Sequence, residues 1–238
     1  VYATTIFLQL VANDEERPWA TEHLHRVIGH IADNGFCLRD VDGQPTRWAR
    51  WDPEYLQTPL GYYARGLNGM EAFNYMTTAW HFTRDPKFQE ARNRLIGWNY
   101  FDDILRQKLT FHPGYFTHFD DRLAFYAYFP LIQHETDAEL KTLWLRSLER
   151  SWEVKRIEAV PWFNFIYGAL TGNDCETRRA VDHLAIDRHA LAGADHEEVA
   201  GHQRVDGNLD PLPVALDARR LRLQADQRFD RFRSARLG

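Results

Sequence analysis

The hydrophobic positions of the chain fall into two alternating kinds of segment, separated by short polar turns. Segments of the first kind, such as 120–134, are apolar on nearly all sides, which indicates helices that are buried all round. Segments of the second kind carry one apolar stripe at helical spacing, as Leu140, Leu143, Trp144, Leu148 and Trp152 do. The pattern therefore predicts a series of buried helices, each followed by a half-exposed helix. The buried segments are 1–11, 60–82, 120–134 and 162–170.

The turns between these segments carry the residue types that start helices. Three of them fit the capping box, in which the first side chain accepts from free backbone amides and a glutamate reaches back. In the fourth, Asp85 precedes Pro86, and proline is favoured at the first helical position. Four such turns between helical segments indicate a repeat of helix pairs. The three boxes are Asn13 with Glu16, Thr136 with Glu139, and Asn173 with Glu176.

The predicted fold is all-α, an incomplete (α/α) toroid of about four antiparallel helix pairs over residues 1–185. Residues 186–238 are expected to form an irregular or partly helical C-terminal extension. The connections at 34–58 and 107–119 are long and rich in Gly, Pro, Trp, His and Asp. If the pairs lie side by side, these long loops lie at one end of the helices. Long loops on a rigid scaffold are where function usually sits.

Charge and hydropathy exclude two classes of partner. The net charge of −5 argues against a nucleic-acid surface, which needs clustered Lys and Arg. The basic stretch 219–236 contains Asp226 and Asp230, so a solvated helix or tail explains it better. No apolar run reaches the ~20 residues that a membrane-spanning helix needs. The sequence thus predicts neither nucleic-acid binding nor a membrane span.

Metal and cofactor chemistry find no support in the sequence. Cys37 and Cys175 are the only two cysteines, which implies no disulfide framework and no cysteine metal site, although a single bridge between them stays open. No phosphate loop, HExxH, nucleophile elbow or dinucleotide fingerprint occurs, and no metal or cofactor is expected. The chain begins at Val1 inside an apolar run, so we expect a removed leader or a piece of a longer protein.

The first long loop offers both turn residues and exposed aromatic and cationic side chains. Residues 41–44, Val-Asp-Gly-Gln, indicate a tight turn between two short extended pieces. Asp42 is accordingly a turn residue or a catalytic carboxylate. Arg47 and Trp48 suit a carboxylate and a sugar ring face, as Arg50 and Trp51 do, and the two indoles could equally cover the core.

The second long loop ends in two adjacent carboxylates. Asp120 and Asp121 fall at a predicted helix N-terminus, where one of them, Asp120 by preference, is expected to cap the helix and the other to be catalytic. His118 is a candidate proton-transfer partner or sugar ligand. Cleavage of a glycosidic bond needs two carboxyl groups, one to protonate the leaving oxygen and one to activate water or attack. Adjacent helical residues diverge by about 100°, so the second carboxylate should come from elsewhere, from Asp42 or Glu71.

Further candidates lie where the second and fourth buried helices begin. They would bind substrate if they face the loops, or pack in the core if they do not. The candidates are Tyr63, Asn68 and Glu71 in the second helix, and Trp162 and Asn164 in the fourth.

Four stretches resemble a largely uncharacterised bacterial family, itself similar to the six-hairpin (α/α)6 glycosidase-like toroids. They are Asp-Val-Asp-Gly-Gln-Pro-Thr-Arg-Trp (40–48), Gly-Leu-Asn-Gly-Met-Glu (66–71), His-Phe-Asp-Asp-Arg-Leu-Ala-Phe (118–125) and Pro-Trp-Phe-Asn-Phe-Ile-Tyr-Gly-Ala-Leu-Thr-Gly (161–172). The resemblance implies an (α/α) fold, a carbohydrate ligand and an extracytoplasmic location.

The chain departs from that family in three places. Arg122 stands where the family usually has an acidic residue beside the two aspartates. The family's earlier hairpins and its aromatic C-terminal closing segment have no counterpart. Because four pairs cannot close a six-pair ring, the chain is expected to be a fragment, a degenerate relative, or a module completed by a protein partner or missing segments.

The sequence therefore yields two functional hypotheses. The first is a carbohydrate-active toroid domain that hydrolyses glycosidic bonds of an acidic oligosaccharide by carboxylate acid/base catalysis, with elimination and epimerisation left open. The second is a non-catalytic structural or binding subunit of a larger complex, a pseudoenzyme derived from such a toroid. Fold kinship alone does not decide between them.

Overall fold

The computed structural model describes residues 1–107 and 118–184, and this part of the chain is mostly helical, as predicted. Two short 3₁₀ turns, Tyr62–Ala64 and Arg156–Glu158, precede α4 and follow α8. A last helix, α10, begins at Thr177 and continues to the end of the described residues. The other helices are α1 (Tyr2–Leu10), α2 (Glu16–Asp33), α3 (Pro53–Leu56), α4 (Arg65–Thr83), α5 (Pro86–Gly97), α6 (Tyr100–Leu105), α7 (His118–His134), α8 (Ala138–Lys155) and α9 (Pro161–Thr171).

Within the described residues the only sheet is a two-stranded hairpin in the first long loop. Strands β1 (Cys37–Arg39) and β2 (Pro45–Arg50) pair antiparallel, and Gly43 at the turn has a positive φ of 78°. A glycine adopts this backbone conformation without the strain that a Cβ would cause. The predicted pair of short extended pieces around a tight turn at 41–44 is thereby confirmed.

The core is centred on α4 and α7, which pack against each other. Phe73 and Met70 of α4, and Phe125 and Tyr128 of α7, are fully buried, as the absence of a polar face in these segments predicted. Around them, α4 also contacts α2, α5 and α6, whereas α7 contacts α1, α8 and α9. These two helices therefore form the hydrophobic centre of the described part of the chain.

The first segment is less buried than its sequence suggested. Leu10 and Val11 are 76% and 67% exposed, and Thr5 and Leu8 are the buried residues of α1. The prediction of burial on all sides was wrong here because α1 packs mainly against α2 and α7, which cover one side of it. Helix α9 likewise buries one face, and Phe165 on its other side is exposed.

The predicted helix starts are confirmed to within four residues, but two of the capping residues differ. Asn13 Oδ1 accepts from the Glu16 amide at 3.0 Å, and Asp85 Oδ1 accepts from the Lys87 amide at 3.0 Å. Helix α8 is capped by Asp137 and not by Thr136, since the Asp137 carboxylate accepts from two backbone amides. The box predicted at Asn173 does not form: Glu176 has a positive φ of 53° and its amide donates to Asp174.

Helices α1, α4 and α7 run in the same direction. Tyr2 and Tyr126 are in ring contact near the beginning of α1, and Gln9 bonds Gln133 near the ends of α1 and α7. Near the ends of α4 and α7, the rings of His81 and His134 stack at 4.0 Å. The long first loop leads into α4, so it lies at the end of the bundle where these helices begin.

The remaining expectations concern the C-terminal extension, the second long loop, the two cysteines and a membrane span. The predicted C-terminal extension 186–238 and most of the second long loop lie outside the described residues. Cys37 and Cys175 are buried free thiols, so no bridge joins them. Among residues 1–107 and 118–184, no helix is both long enough and apolar enough to cross a bilayer.

Candidate functional site

A cavity of about 340 Å³ lies between the beginning of α1 and the middle turns of α4 and α7. Glu71 and Tyr75 reach it from the same face of α4, because residues four apart in a helix are neighbours. Leu123 and Tyr126 line it from α7, and Tyr2 closes it from α1. The wall is therefore aromatic, with one carboxyl group set into it.

Glu71 is the carboxyl group of this cavity. Its Oε2 accepts a hydrogen bond from the indole N–H of Trp51 at 2.9 Å. Burial raises the pKa of Glu71 to about 7; the Trp51 hydrogen bond opposes that rise, and the negative charge of Asp120 adds to it. The side chain stays partly exposed because it opens on the cavity, while protein surrounds it on its other sides. Glu71 can thus both donate and accept a proton near neutral pH.

Asp120 is the second carboxyl group of this region. It lies in the first turn of α7, and its charge raises the pKa of Glu71 and also that of Tyr63. For Tyr63 the larger cause of the raised pKa is burial, and nearby Arg47 lowers it. The structure therefore brings four predicted residues, Arg47, Tyr63, Glu71 and Asp120, into one electrostatic neighbourhood.

Asp121 and His118 face elsewhere. Asp121 is only 1% exposed, and its carboxylate pairs with Lys155 Nζ at 2.7 Å. His118 Nδ1 lies 3.6 Å from Glu158, and its ring packs edge-on against Phe163. Both side chains therefore join α7 to the end of α8 and the start of α9, a structural role in place of the catalytic one that the sequence suggested.

The hairpin presents one cation and one indole to solvent. The guanidinium of Arg47 stacks on the Trp48 ring at 4.6 Å, and Trp48 is 64% exposed. Arg50 instead forms an ion pair with Asp52 at 2.7 Å, so its charge is used within the protein. Asp42 accepts a hydrogen bond from the Gln44 amide at 2.8 Å within the turn. Of the two roles expected for Asp42, the structure therefore shows the turn residue.

Three other candidates support the site from inside the protein. Trp51 is 5% exposed, so it covers the core and does not offer a sugar-binding face. Asn68 donates to the Arg50 carbonyl at 2.7 Å and holds the loop against α4. Asn164 is fully buried and accepts from the Trp152 indole at 3.2 Å. None of the three is placed to touch a ligand.

Trp162 stands behind the aromatic wall of the cavity. Its ring contacts Tyr2 at 5.7 Å and Tyr126 at 5.0 Å between centroids. Sequence reasoning missed these two tyrosines and Tyr75. Tyr75 could have been found from its spacing of four residues after Glu71 on a helix, whereas Tyr2 and Tyr126 meet only through tertiary packing.

A second, more open pocket of about 450 Å³ lies away from this site and is lined by Arg17, His25 and Phe82, among others. Its histidine pairs with Asp85 at 2.9 Å at the start of α5, so this side chain already has a partner in the fold. The smaller cavity beside Glu71 is the better candidate because it combines a proton-exchanging group with an aromatic wall.

Comparisons with known proteins found no match that could assign a function to the cavity. No family model, no curated protein and no solved structure matches this chain. Within the described residues, no group of three or more His, Cys, Asp or Glu side chains is arranged to hold a metal ion.

Proposed function

We propose that this chain is a carbohydrate-active helical domain that cleaves glycosidic bonds with Glu71 as the general acid and Asp120 as the partner carboxylate. The observation that carries the proposal is the position of the Glu71 carboxyl group in the wall of an aromatic cavity. Burial there raises the pKa of Glu71 to about 7. Perturbed carboxyl groups in clefts are typical of acid/base sites.

The chemistry assigns one role to each carboxyl group. With a pKa of about 7, Glu71 is available in its protonated form near neutral pH and can transfer that proton to the glycosidic oxygen as the C–O bond breaks. Asp120 would then activate a water molecule or stabilise the positive charge that develops on the sugar ring. This pairing replaces the two adjacent aspartates by one residue from α4 and one from α7.

The surroundings favour a sugar that carries an acidic group. The rings of Tyr2, Tyr75 and Tyr126 offer the apolar faces on which sugar rings pack. Arg47, stacked on Trp48 in the hairpin, offers a planar cation that suits a carboxylate. An oligosaccharide containing uronic acid residues would use both features.

We further propose that the helix pairs belong to an incomplete (α/α) toroid. The shared direction of α1, α4 and α7 supports this arrangement. The resemblance to the six-hairpin glycosidase-like proteins points the same way and carries the expectation of an extracytoplasmic location. Additional segments or a protein partner would complete the ring.

The test compares wild type with Glu71→Gln and Asp120→Asn on a panel of labelled uronic-acid-containing oligosaccharides. Release of reducing ends should fall at least ~100-fold in Glu71→Gln, the usual contribution of general acid catalysis. Glu90→Gln, an exposed carboxyl on α5, is the matched control and should retain wild-type turnover. Wild-type protein that neither binds nor cleaves any member of the panel would refute the proposal.

A second function, as a non-catalytic subunit of a larger complex, is favoured by one observation. Leu10, Val11 and Trp19 are large apolar side chains exposed on α1, its following turn and α2, and a partner would cover them. Purification from the native source separates the two proposals. A stoichiometric protein assembly without bound sugar would support the subunit, whereas a monomer that retains sugar would support the enzyme.

A further inference from the structure

The hydrogen bond between Trp51 and Glu71 restricts where Glu71 can carry its proton. An indole N–H only donates, so Glu71 Oε2, which receives it at 2.9 Å, acts as an acceptor in both protonation states. The other oxygen, Oε1, has no hydrogen-bond partner among the described residues and is not among the buried unpaired atoms. Oε1 is therefore the oxygen open to the cavity.

The indole that makes this bond is held from several directions. The Trp51 amide donates to the Phe36 carbonyl at 2.9 Å, and the Tyr100 hydroxyl donates to the Trp51 carbonyl at 2.7 Å. Its ring packs edge-on against Tyr75 at 5.4 Å. A side chain fixed by its own backbone bonds and by ring packing loses little entropy when it orients a neighbour.

We infer that Trp51 is the positioning residue of this site: its indole N–H keeps Glu71 Oε2 as an acceptor and confines the acid proton to Oε1, facing the cavity. The catalytic meaning of this placement rests on the proposed function. The placement itself does not, because it concerns only the ground state of the protein. Trp51 thus contributes to the site from the core, although it cannot touch a substrate.

The groups around Glu71 determine how its ionisation would be observed. Tyr75 lies one turn along α4, Tyr2 and Tyr126 face the cavity from α1 and α7, and Asp120 adds a negative charge. Tyr75 and Tyr2 stay neutral through the neutral range, since burial raises the pKa of each above the ordinary value near 10. The Val1 amino group also lines the cavity, and burial lowers its pKa from the ordinary value of 8.0, so the Glu71→Gln variant is what assigns a titration near pH 7 to Glu71.

The direct test follows the indole N–H resonances of ¹⁵N-labelled protein from pH 5 to 9. The Trp51 indole proton should move downfield with a midpoint near 7 as Glu71 ionises, because a hydrogen bond to a carboxylate is stronger than one to a carboxylic acid. Asp120→Asn should lower that midpoint by removing a like charge. In Glu71→Gln the resonance should stay constant with pH.

The Trp152 indole provides the internal control. It donates to Asn164, which does not titrate, so its resonance should not follow the same curve. A Trp51 resonance that is flat in wild type, or that titrates equally in Glu71→Gln, would overturn the inference.

A variant gives the converse measurement. Trp51→Phe keeps a ring against Tyr75 and removes the N–H, so the ¹³Cδ resonance of Glu71 should titrate about one pH unit higher than in wild type. Trp152→Phe removes an equivalent N–H elsewhere and should leave that midpoint in place. An unchanged or lower midpoint in Trp51→Phe would contradict the inference, and the wild-type titration decides the matter if this variant does not fold. None of these readouts depends on turnover, so an inactive protein would refute the proposed enzyme and leave the Trp51 inference standing.

Discussion

At the scale of single residues, Asp120 and Asp121 show how one helical step separates two chemical environments. Successive residues of a helix point about 100° apart, so the first carboxyl group lies near Glu71 while the second meets Lys155 in the interior. The sequence predicted this divergence and named Glu71 as a possible second carboxylate. It assigned the helix cap to Asp120, whereas α7 begins at His118 and places both aspartates in its first turn. Asp121 is the buried one because Lys155, at the far end of α8, pairs with it.

His134 gives a prediction at the same scale. It is buried beside α1, with Nε2 2.9 Å from Gln9 Nε2 and its ring stacked on His81. Burial lowers the pKa of His134 to about 3, and the charge of His81 adds to this effect. The folded state therefore binds fewer protons than the unfolded state below pH 6.5. We expect the free energy of unfolding to fall as the pH drops from about 6.5 towards 3, by at most ~1.4 kcal/mol per pH unit.

Urea denaturation of wild type and His134→Gln at several pH values in this window measures the contribution. The variant should be less stable near pH 7, because it loses the contacts that the His134 ring makes with Gln9 and His81. Its free energy of unfolding should also depend less on pH. The raised pKa of Glu71 acts in the opposite sense between about 4.5 and 7, but it is common to both proteins and cancels in the comparison. His23→Gln, an exposed histidine on α2, should follow the wild-type curve, and an equal flattening there would contradict the assignment to His134.

At the scale of elements, the turn chemistry predicted most helix starts, but the choice of capping residue needed the backbone. Asp137 caps α8 by accepting from the Glu139 and Leu140 amides at 2.9 and 3.1 Å, although Thr136 fits the capping-box pattern. The two residues are adjacent, so a one-residue shift in the helix start decides between them. Helix α6 was missed for a similar reason, because Asn99 at φ 59° turns the chain between two helical stretches that the sequence pattern does not separate.

Capping gives a prediction with a matched neighbour. Asp137→Ala should lower the free energy of unfolding by about 1 kcal/mol, since it leaves two amides of the first turn of α8 without their acceptor. Thr136→Ala, one residue earlier and exposed, should change it by less than about 0.5 kcal/mol. Thermal or chemical denaturation of both variants suffices, and the reverse order would show that Thr136 is the cap.

The helical stripe of α8 gives a second prediction for an element. Trp144 and Leu148 are fully buried, as their spacing indicated, whereas Arg146 between them is exposed. Truncation of either apolar residue to Ala should cost ~2–5 kcal/mol through lost burial and the cavity left behind. Trp144→Ala also leaves Glu135 Oε2 without the indole donor that lies 3.0 Å away. Arg146→Ala should stay within about 0.5 kcal/mol, and equal losses in all three variants would contradict the orientation of α8.

At the scale of the whole molecule, the sequence predicted the all-α class, the hairpin and the burial of 60–82 and 120–134. These features follow from periodicity and turn residues, which are local. The cavity does not, because Tyr2, Glu71 and Tyr126 are far apart in sequence and meet only when α1, α4 and α7 pack. The exposure of α1 was likewise missed, since an apolar segment carries no information about how many neighbours will cover it.

The last prediction distinguishes the structural aspartate, Asp121, from the proposed catalytic aspartate, Asp120. Lys155 holds Asp121 and Glu158 at 2.7 Å each, and although burial alone would lower its pKa, these two carboxylates leave the pKa of Lys155 raised. Asp121→Asn removes the buried partner but leaves Glu158, so the loss should fall below the ~3–5 kcal/mol typical of breaking a buried pair, at about 2 kcal/mol. Asp120→Asn should cost less, because its side chain is half-buried and its removal relieves repulsion with Glu71.

Denaturation midpoints and sugar turnover measured on the same two preparations distinguish these roles. Asp121→Asn should lose stability and keep its turnover per folded molecule, whereas Asp120→Asn should lose turnover with a smaller change in stability. These expectations depend on α7 placing one carboxyl group near Glu71 and the next against Lys155 of α8. If Asp121→Asn kept wild-type stability and lost sugar turnover, the ion pair with Lys155 would be incidental to the fold, and Asp121 would belong to the catalytic site in place of Asp120.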